Sequence, residues 1–426
     1  MSTELRTQTR LALVWFLYMA GFGLYFPYWS LYLKENAGLA PGETGVVIAS
    51  LSLMGMLSQP FWGQIADRTG SRTRVLAGIM LGAGAGFLAL HAATGFGGLL
   101  LANAFFAGFH TAVMPMTVAV SLATLRDSSR HAFGIVRSAG TVGFITMAWL
   151  FPRALDAVQA RLGWVAEPGG PSEPGLAWMF VVSAAMSLSA AAVALGLPRA
   201  GAVSLQASRG DWRALPRHRP YLRLAVFGFV AFFATHGPML FFPQLVTATG
   251  GTLATVSNMW LPMVAFEIPM LMAAGLLADR VGVRGMIAIG LGAAALRWLL
   301  CGFATSIPIL YATCLLHGIT VGGLMMGSPL YVEAVVPEKL RSTGQGLMAT
   351  CVHFGAMLSS MSTGWLVGAF SIETPYRVGG TLCVVLLVGM PWLLPAPRRP
   401  DDDCELVAPQ LNRRATSSRS RGCSGG

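Results

Sequence analysis

Gly63-Gln64-Ile65-Ala66-Asp67-Arg68-Thr69-Gly70-Ser71-Arg72 recurs 212 residues later as Gly275-Leu276-Leu277-Ala278-Asp279-Arg280-Val281-Gly282-Val283-Arg284. Both copies join two long apolar runs. Gly134 and Gly143 reappear at the same offset as Gly346 and Gly355. The chain therefore reads as one helical unit written twice. Its glycines permit tight turns and close helix approach, at Gly63, Gly70, Gly275 and Gly282. Asp67, Arg68 and Arg72, with Asp279, Arg280 and Arg284, supply charges that pair at a loop and part when the halves rock. The plainer reading is a solvated basic loop, which a twice-repeated full pattern argues against.

Outward from these loops the chain is poor in charge. Only 11% of its 426 residues are charged and 54% are hydrophobic, with 29 Lys and Arg against 18 Asp and Glu. Soluble chains average about 25% charged, so a water-soluble enzyme is excluded. A membrane-spanning helix needs about 20 mostly apolar residues. Twelve runs qualify: 11–33, 45–66, 75–94, 97–123, 132–155, 175–197, 221–246, 253–278, 285–304, 307–332, 342–368 and 376–396. The expected architecture is two six-helix bundles, 1–197 and 221–396, joined by a basic linker at 198–220. A Pro- and Gly-rich loop fills 156–174, and 397–426 reads as a disordered tail.

The net charge of +11 invites a nucleic-acid reading until its positions are counted. With the N-terminus in the cytoplasm, 23 of the 29 basic residues fall in cytoplasmic segments and 4 (Lys34, Arg153, Arg161, Arg377) outside. This is the positive-inside bias of an even number of spans. It predicts a multi-pass protein of the inner or plasma membrane with both termini cytoplasmic, and no nucleic-acid partner. Cysteine spacing fits neither a disulfide framework nor zinc, and phosphate-loop and zinc-protease motifs are missing. No metal or cofactor is expected.

The repeated G-x-x-A-D-R-x-G-x-R resembles the signature of major facilitator superfamily transporters, over nearly all of 10–396. Tyr25-Phe26-Pro27, Gln59-Pro60 and Phe133-Gly134-Ile135-Val136-Arg137 resemble the phenylpropionate-permease-like group and the lactose permease. Leu296-Arg297-Trp298 through His317-Gly318 is similar to both. Tyr331-Val332-Glu333 with Arg341-Ser342-Thr343-Gly344-Gln345-Gly346-Leu347 looks more like the nucleoside:proton symporters. The resemblance implies an all-α fold of twelve transmembrane helices with a solute site between pseudo-symmetric halves, at the bilayer midplane. It assigns solute contact to Arg137. It departs from the lactose permease in three places: no acid lies between His91 and Arg126, Phe144 stands for that protein's stacking Trp, and Thr320 for its Glu beyond the helix-ten His. Lactose transport is therefore not expected.

Two basic residues remain inside helices, Arg137 and Arg297. A charge at the bilayer centre costs about 2.5–3.5 kcal/mol on insertion scales and so faces a cavity or a partner. Arg297 lies about 20 Å up its helix from Arg284, and Glu267 about 18 Å up the preceding one from Asp279. A Glu267–Arg297 pair is expected, with His317 at a comparable level. Such a trio can hold and release a proton, since a neighbouring cation sets a carboxylate's proton affinity; the alternative is a static pair that orders packing. Thr141 and Phe144 share the Arg137 face, for which snorkelling to headgroups is the alternative. Tyr18, Tyr25, Trp29 and Tyr32 line one face of the first helix, and Tyr25 is a candidate cavity residue, with core packing or an interfacial belt as the alternative. Asn103, His110, Thr117 and Ser121 make a polar stripe on the fourth span. His110, His236 and His353 are further candidates for solute contact, each weighed against a satisfied packing histidine.

These residues predict a monomeric secondary transporter of a small organic solute, a nucleoside or an aromatic or organic acid, working by alternating access with proton symport. Other readings are a sugar symporter or an exporter of the same fold, a membrane sensor or scaffold, and a membrane-embedded enzyme.

Overall fold

A computed structural model describes residues 3–126, 128, 132–165, 173–198, 219–336 and 341–394. Most of the expected linker and all of the expected tail lie outside the described residues. Among the described residues the helices are α1 (Glu4–Asn36), α2 (Pro41–Thr69), α3 (Arg72–Ala92), α4 (Gly95–Thr124), α5 (Ala132–Leu162), α6 (Trp178–Leu195), α7 (Arg219–Ala248) and a 50-residue run, Leu253–Gly302. They continue with α10 (Ile307–Val335), α11 (Arg341–Ala369) and α12 (Thr374–Leu393).

The 50-residue run would be about 75 Å long if straight, against a hydrocarbon core of about 30 Å. It is not straight, because Gly282 has φ 73 and ψ 160. A left-handed φ is open to glycine and costly for other residues. The run is thus two passes, α8 (253–281) and α9 (283–302), meeting at the repeated motif. Gly70, the equivalent glycine of the first copy, ends α2 with φ 62. Both motif glycines expected to turn the chain do so.

Local chemistry sets the other ends. Pro41 opens α2, and the Glu43 carboxylate accepts the Ala40 N–H at 3.0 Å. At the start of α8, Thr252 and Thr255 exchange hydroxyl–amide bonds of 3.1 and 3.3 Å. The α1 helix loosens at 26–28, where Pro27 removes a backbone donor, and closes with a π-helical turn over Tyr32–Asn36. A second π turn, Val321–Met325, interrupts α10. The α5 helix runs on to Leu162, so 156–162 is helical where loop was expected.

Ten described helices are long and apolar enough to cross a membrane, counting the bent run once. Helix α11 falls outside that set. It carries His353, Ser359, Ser360, Ser362 and Thr363 and packs between α2 and α7, so protein covers its polar faces.

The helices assemble alike in the two sequence repeats. In the first, α1 packs on α5 and α6, and α4 on α2 and α3; in the second, α7 packs on α11 and α12, and α10 on α8 and α9. The repeated glycines mark equivalent crossings. Gly143 lies against the Phe16 backbone, and a methyl on Gly355 would stand 2.6 Å from the Phe229 carbonyl oxygen.

The two repeats touch at the end away from the motif loops. A methyl on Gly45 of α2 would be 2.6 Å from the Ser360 carbonyl oxygen of α11. Ser257 donates to the Ala148 carbonyl at 2.7 Å, Arg153 to Asn258 at 3.0 Å, and Gln244 to the Ser30 carbonyl at 2.8 Å. At the motif end, a methyl on Gly63 or Gly275 would meet nothing within 4 Å. The close approach expected of these two glycines is therefore absent here, because the helix ends that would use it stand apart.

Substituting valine at Gly282 is expected to lower the melting temperature of the purified protein, since a β-branched residue at φ 73 is strained by about 1–2 kcal/mol. Alanine at Gly275 faces open space and is expected to melt within a degree or two of wild type. A Gly282→Val protein that melts with wild type would show that the elbow is not fixed by that glycine.

Candidate functional site

On the second-repeat side, Arg297 of α9 is 1% exposed. Its Nη1 lies 2.7 Å from His317 Nδ1 and its Nη2 3.2 Å from the Met263 sulfur. The guanidinium also faces the Trp298 ring at 4.5 Å and the Phe242 ring at 5.4 Å. Arginine only donates, so His317 Nδ1 accepts. His317 is then neutral and carries its proton on Nε2, which faces a Glu267 carboxylate oxygen at 4.0 Å. The three predicted residues come together in the order Glu267, His317, Arg297. The expected direct Glu267–Arg297 pair is corrected: the imidazole stands between them.

Local sequence places this row. A methyl on Gly318 would be 2.9 Å from Phe266, so α10 crosses α8 beside the residue preceding Glu267. The π turn begins four residues after His317. Such turns re-aim side chains and concentrate at functional sites.

Arg137 of α5 is exposed, with its guanidinium 5.8 Å from the Trp15 ring. Arg137 lies on the first repeat and the half-buried Glu267 on the second. Thr141 is half-buried on the same helix. Phe144 is buried, 5.9 Å from Phe22 and 6.0 Å from Trp260. Trp260 also meets Phe26 edge-on at 5.2 Å. Phe22, Phe26, Phe144 and Trp260 together close the gap on the side away from the motif loops.

Tyr25 is elsewhere. Its ring is 1% exposed and lies among Trp29, Phe87, Phe106 and Phe180. The aromatic face of α1 turns into its own bundle, and Phe22 and Phe26 face the gap instead. The cavity role expected for Tyr25 is corrected accordingly. His110 is 6% exposed and stacks on Phe106 at 4.5 Å within the same cluster. The rest of the α4 stripe is spent on packing: Asn103 donates to the Val47 carbonyl at 2.8 Å, and Ser121 accepts from the Trp15 indole at 2.9 Å. His236 and His353 are half-buried. His353 Nε2 lies 3.5 Å from Gln59 Nε2 across the repeats.

The motif loops differ. Asp67 pairs with Arg72 at 3.2 Å. Asp279 has no ion-pair partner among the described residues, and Arg280 is exposed. Arg68 is exposed beside the first pair.

Sequence reasoning passed over Trp260, Phe22, Phe26 and the binding potential of Gln59. Trp260 and Glu267 are seven residues apart, two turns on one helix face, which was the available signal.

An all-α bundle of long apolar helices built from two repeats is the architecture of a multi-pass membrane protein. Residues 8–378 match the model of the MFS_1 like family, and the chain belongs to that family of major facilitator superfamily transporters. It is similar to the maltose permease of Geobacillus stearothermophilus, 28% identical over 402 residues, 89% of this chain and 94% of that protein. Its fold is like that of the nucleoside transporter NupG (TM-score 0.77, 17% identity, covering 91% of this chain and 99% of that one). It is also like that of the D-xylose-proton symporter (TM-score 0.68, 13% identity, 93% and 99%). Membrane transport of small solutes, with no enzymatic step, is the activity of this class.

Truncating His317 to alanine leaves Arg297 without its imidazole acceptor. A hydrogen bond to a charged group contributes about 1.5–3 kcal/mol, so a clear fall in melting temperature is expected. Unchanged melting would mean that Arg297 finds another partner.

Proposed function

We propose that the protein is a monomeric, proton-coupled symporter of a small organic solute bearing a ring, a nucleoside or an aromatic or organic acid. The observation that carries this is the Glu267–His317–Arg297 row of the second repeat, set beside the Phe144–Trp260 aromatic contact between the repeats. Arg137 and Thr141 supply donors to the solute, and Phe144 stacks on its ring. The likeness to NupG supports the nucleoside reading.

Proton coupling follows from the row behind Glu267. Arg297 fixes His317 as a neutral donor aimed at the carboxylate. An ionised Glu267 attracts Arg137 and draws the repeats together at the motif end. A protonated Glu267 loses that attraction, and the motif end opens. Proton occupancy and conformation are thereby linked, as symport requires. The likeness to the D-xylose-proton symporter supports this coupling.

The excess of Lys and Arg on the motif side supports a cytoplasmic motif end. On that reading, with the opposite end closed, the conformation is inward-facing. Gln59, His236 and His353 lie in the same gap, on its α2–α11 side.

A sugar is the second reading, favoured by the similarity to the maltose permease over 89% of the chain. Uptake of maltose without uptake of nucleosides selects it.

Proteoliposomes with an imposed pH gradient test the coupling. Glu267→Gln is expected to abolish accumulation above equilibrium while solute exchange continues; unchanged accumulation removes Glu267 as the proton site. Arg137→Lys loses a planar fork of donors and is expected to weaken solute binding about tenfold or more. Wild-type affinity in that variant returns Arg137 to a headgroup role.

A further inference from the structure

A second polar cluster lies across the gap from the Glu267–His317–Arg297 row, where α2 and α4 meet α11 and α7. The Thr111 hydroxyl donates to the Ala107 carbonyl at 2.8 Å, so the 2.6 Å contact between Ser58 and Thr111 is a bond donated by Ser58. Gln59 Nε2 donates to the Thr111 carbonyl at 3.2 Å. That bond turns the amide so that its other N–H faces His353 Nε2 at 3.5 Å, the outer limit of a hydrogen bond. With Nε2 as acceptor, His353 keeps its proton on Nδ1. For Gln59 Oε1 and His353 Nδ1 the described residues supply no partner, and both side chains are only half-buried. The His353 ring is held in place by Gly55, on which a methyl would lie 3.2 Å from Cε1.

Position ties this cluster to the solute gap. The α2–α11 seam is closed at Gly45 and Gly364 and open at Gly63. Gln59 and His353 approach each other between these two points. Gln59 is ten residues from the end of α2 and His353 twelve from the start of α11, about 15–18 Å along each helix. Glu267 lies at a matching depth, about 18 Å from Asp279. The gap thus has a charged wall and an uncharged wall at one level. An amide oxygen and an imidazole N–H match a hydroxyl or carbonyl edge. They offer no counter-charge to a carboxylate.

We propose that Gln59 and His353 form a second, neutral subsite of the solute site that takes its hydroxyl-bearing edge. The preferred substrate is then a hydroxylated ring compound, a nucleoside or a sugar, rather than an aromatic acid. This rests on the transport reading above and narrows its substrate class. Holding one residue from each repeat, the subsite senses the solute from both sides of the gap.

Binding of uridine, 2′,3′-dideoxyuridine, maltose and 3-phenylpropionate to the purified full chain tests the assignment. Wild type is expected to bind uridine or maltose at least tenfold more tightly than 3-phenylpropionate. Where uridine is the ligand, Gln59→Leu and His353→Phe are each expected to weaken it about tenfold, the worth of one net hydrogen bond, and to leave the dideoxy analogue within twofold. His353→Gln, which keeps a donor and an acceptor, is expected to recover part of the loss and guards against a packing artefact at Gly55. For maltose, the same variants are expected to weaken binding about tenfold and leave 3-phenylpropionate within twofold. Equal losses for hydroxylated and non-hydroxylated ligands, unchanged uridine or maltose binding in Gln59→Leu, or a wild type that prefers 3-phenylpropionate overturns the subsite and leaves the transporter reading standing. A wild type that binds none of the four overturns the substrate reading on which the subsite rests.

Discussion

The structure depends on backbone meeting backbone at glycine. In lipid there is no hydrophobic force to press helices together, and association relies on close van der Waals approach and interhelical hydrogen bonds. The chain carries 51 glycines, and the crossings that matter use them. Gly143 meets Phe16, and Gly355 meets Phe229. A methyl on Gly23 would be 2.5 Å from the Phe144 carbonyl oxygen. Three glycine contacts also bear on side chains of the candidate site. Gly23 seats Phe144, Gly55 seats His353, and Gly318 sets α10 against Phe266 beside Glu267. Packing and function are therefore not separable here, because the residues that let the helices touch are the ones that aim the site.

Arg297 shows the second constraint. A guanidinium held 1% exposed has lost its water, and the protein returns little full charge in exchange. It supplies an imidazole nitrogen, a sulfur and two ring faces. Such an arrangement stabilises the cation weakly compared with a direct carboxylate pair, but it has a consequence that a direct pair lacks. The carboxylate stays one imidazole removed, so protonation of Glu267 alters the row without stripping Arg297 of its nearest partner. On the proposed coupling, a proton comes and goes at one end while the other end holds the helices in register.

The fold was legible because lipid imposes coarse rules. Span lengths, the repeat at 212 residues and the Arg distribution follow from bilayer thickness and charge cost, and these act on composition. The meeting of Glu267, His317 and Arg297 was legible for the same reason, since charges at one depth in neighbouring helices have few other places to go. The order within the trio was not. It depends on where α10 crosses α8 at Gly318, a matter of a few ångströms that spacing along one helix cannot carry. Tyr25 failed for a related reason. A helix in a bundle has two kinds of interior, one within its own repeat and one facing the other, and aromatic periodicity marks both alike. The bend at Gly282 was expected as a loop between two spans, whereas one glycine suffices to turn the chain.

The open state of the motif loops follows from what the opposite end does. At that end, Gly45 and Gly364 bring α2 and α11 to backbone contact, and Ser257, Arg153 and Gln244 bond across. Two rigid bundles pressed together at one end and crossing the full membrane must separate at the other. Among the described residues Asp67 pairs with Arg72, five residues along its own loop, and a methyl on Gly63 or Gly275 would meet nothing within 4 Å. A glycine without a close neighbour gains nothing from lacking a side chain, so its recurrence at both positions is accounted for by a conformation in which the motif ends meet. On the proposed alternating-access reading, the repeated motif serves the alternative state, and the side chains that close the opposite end serve this one.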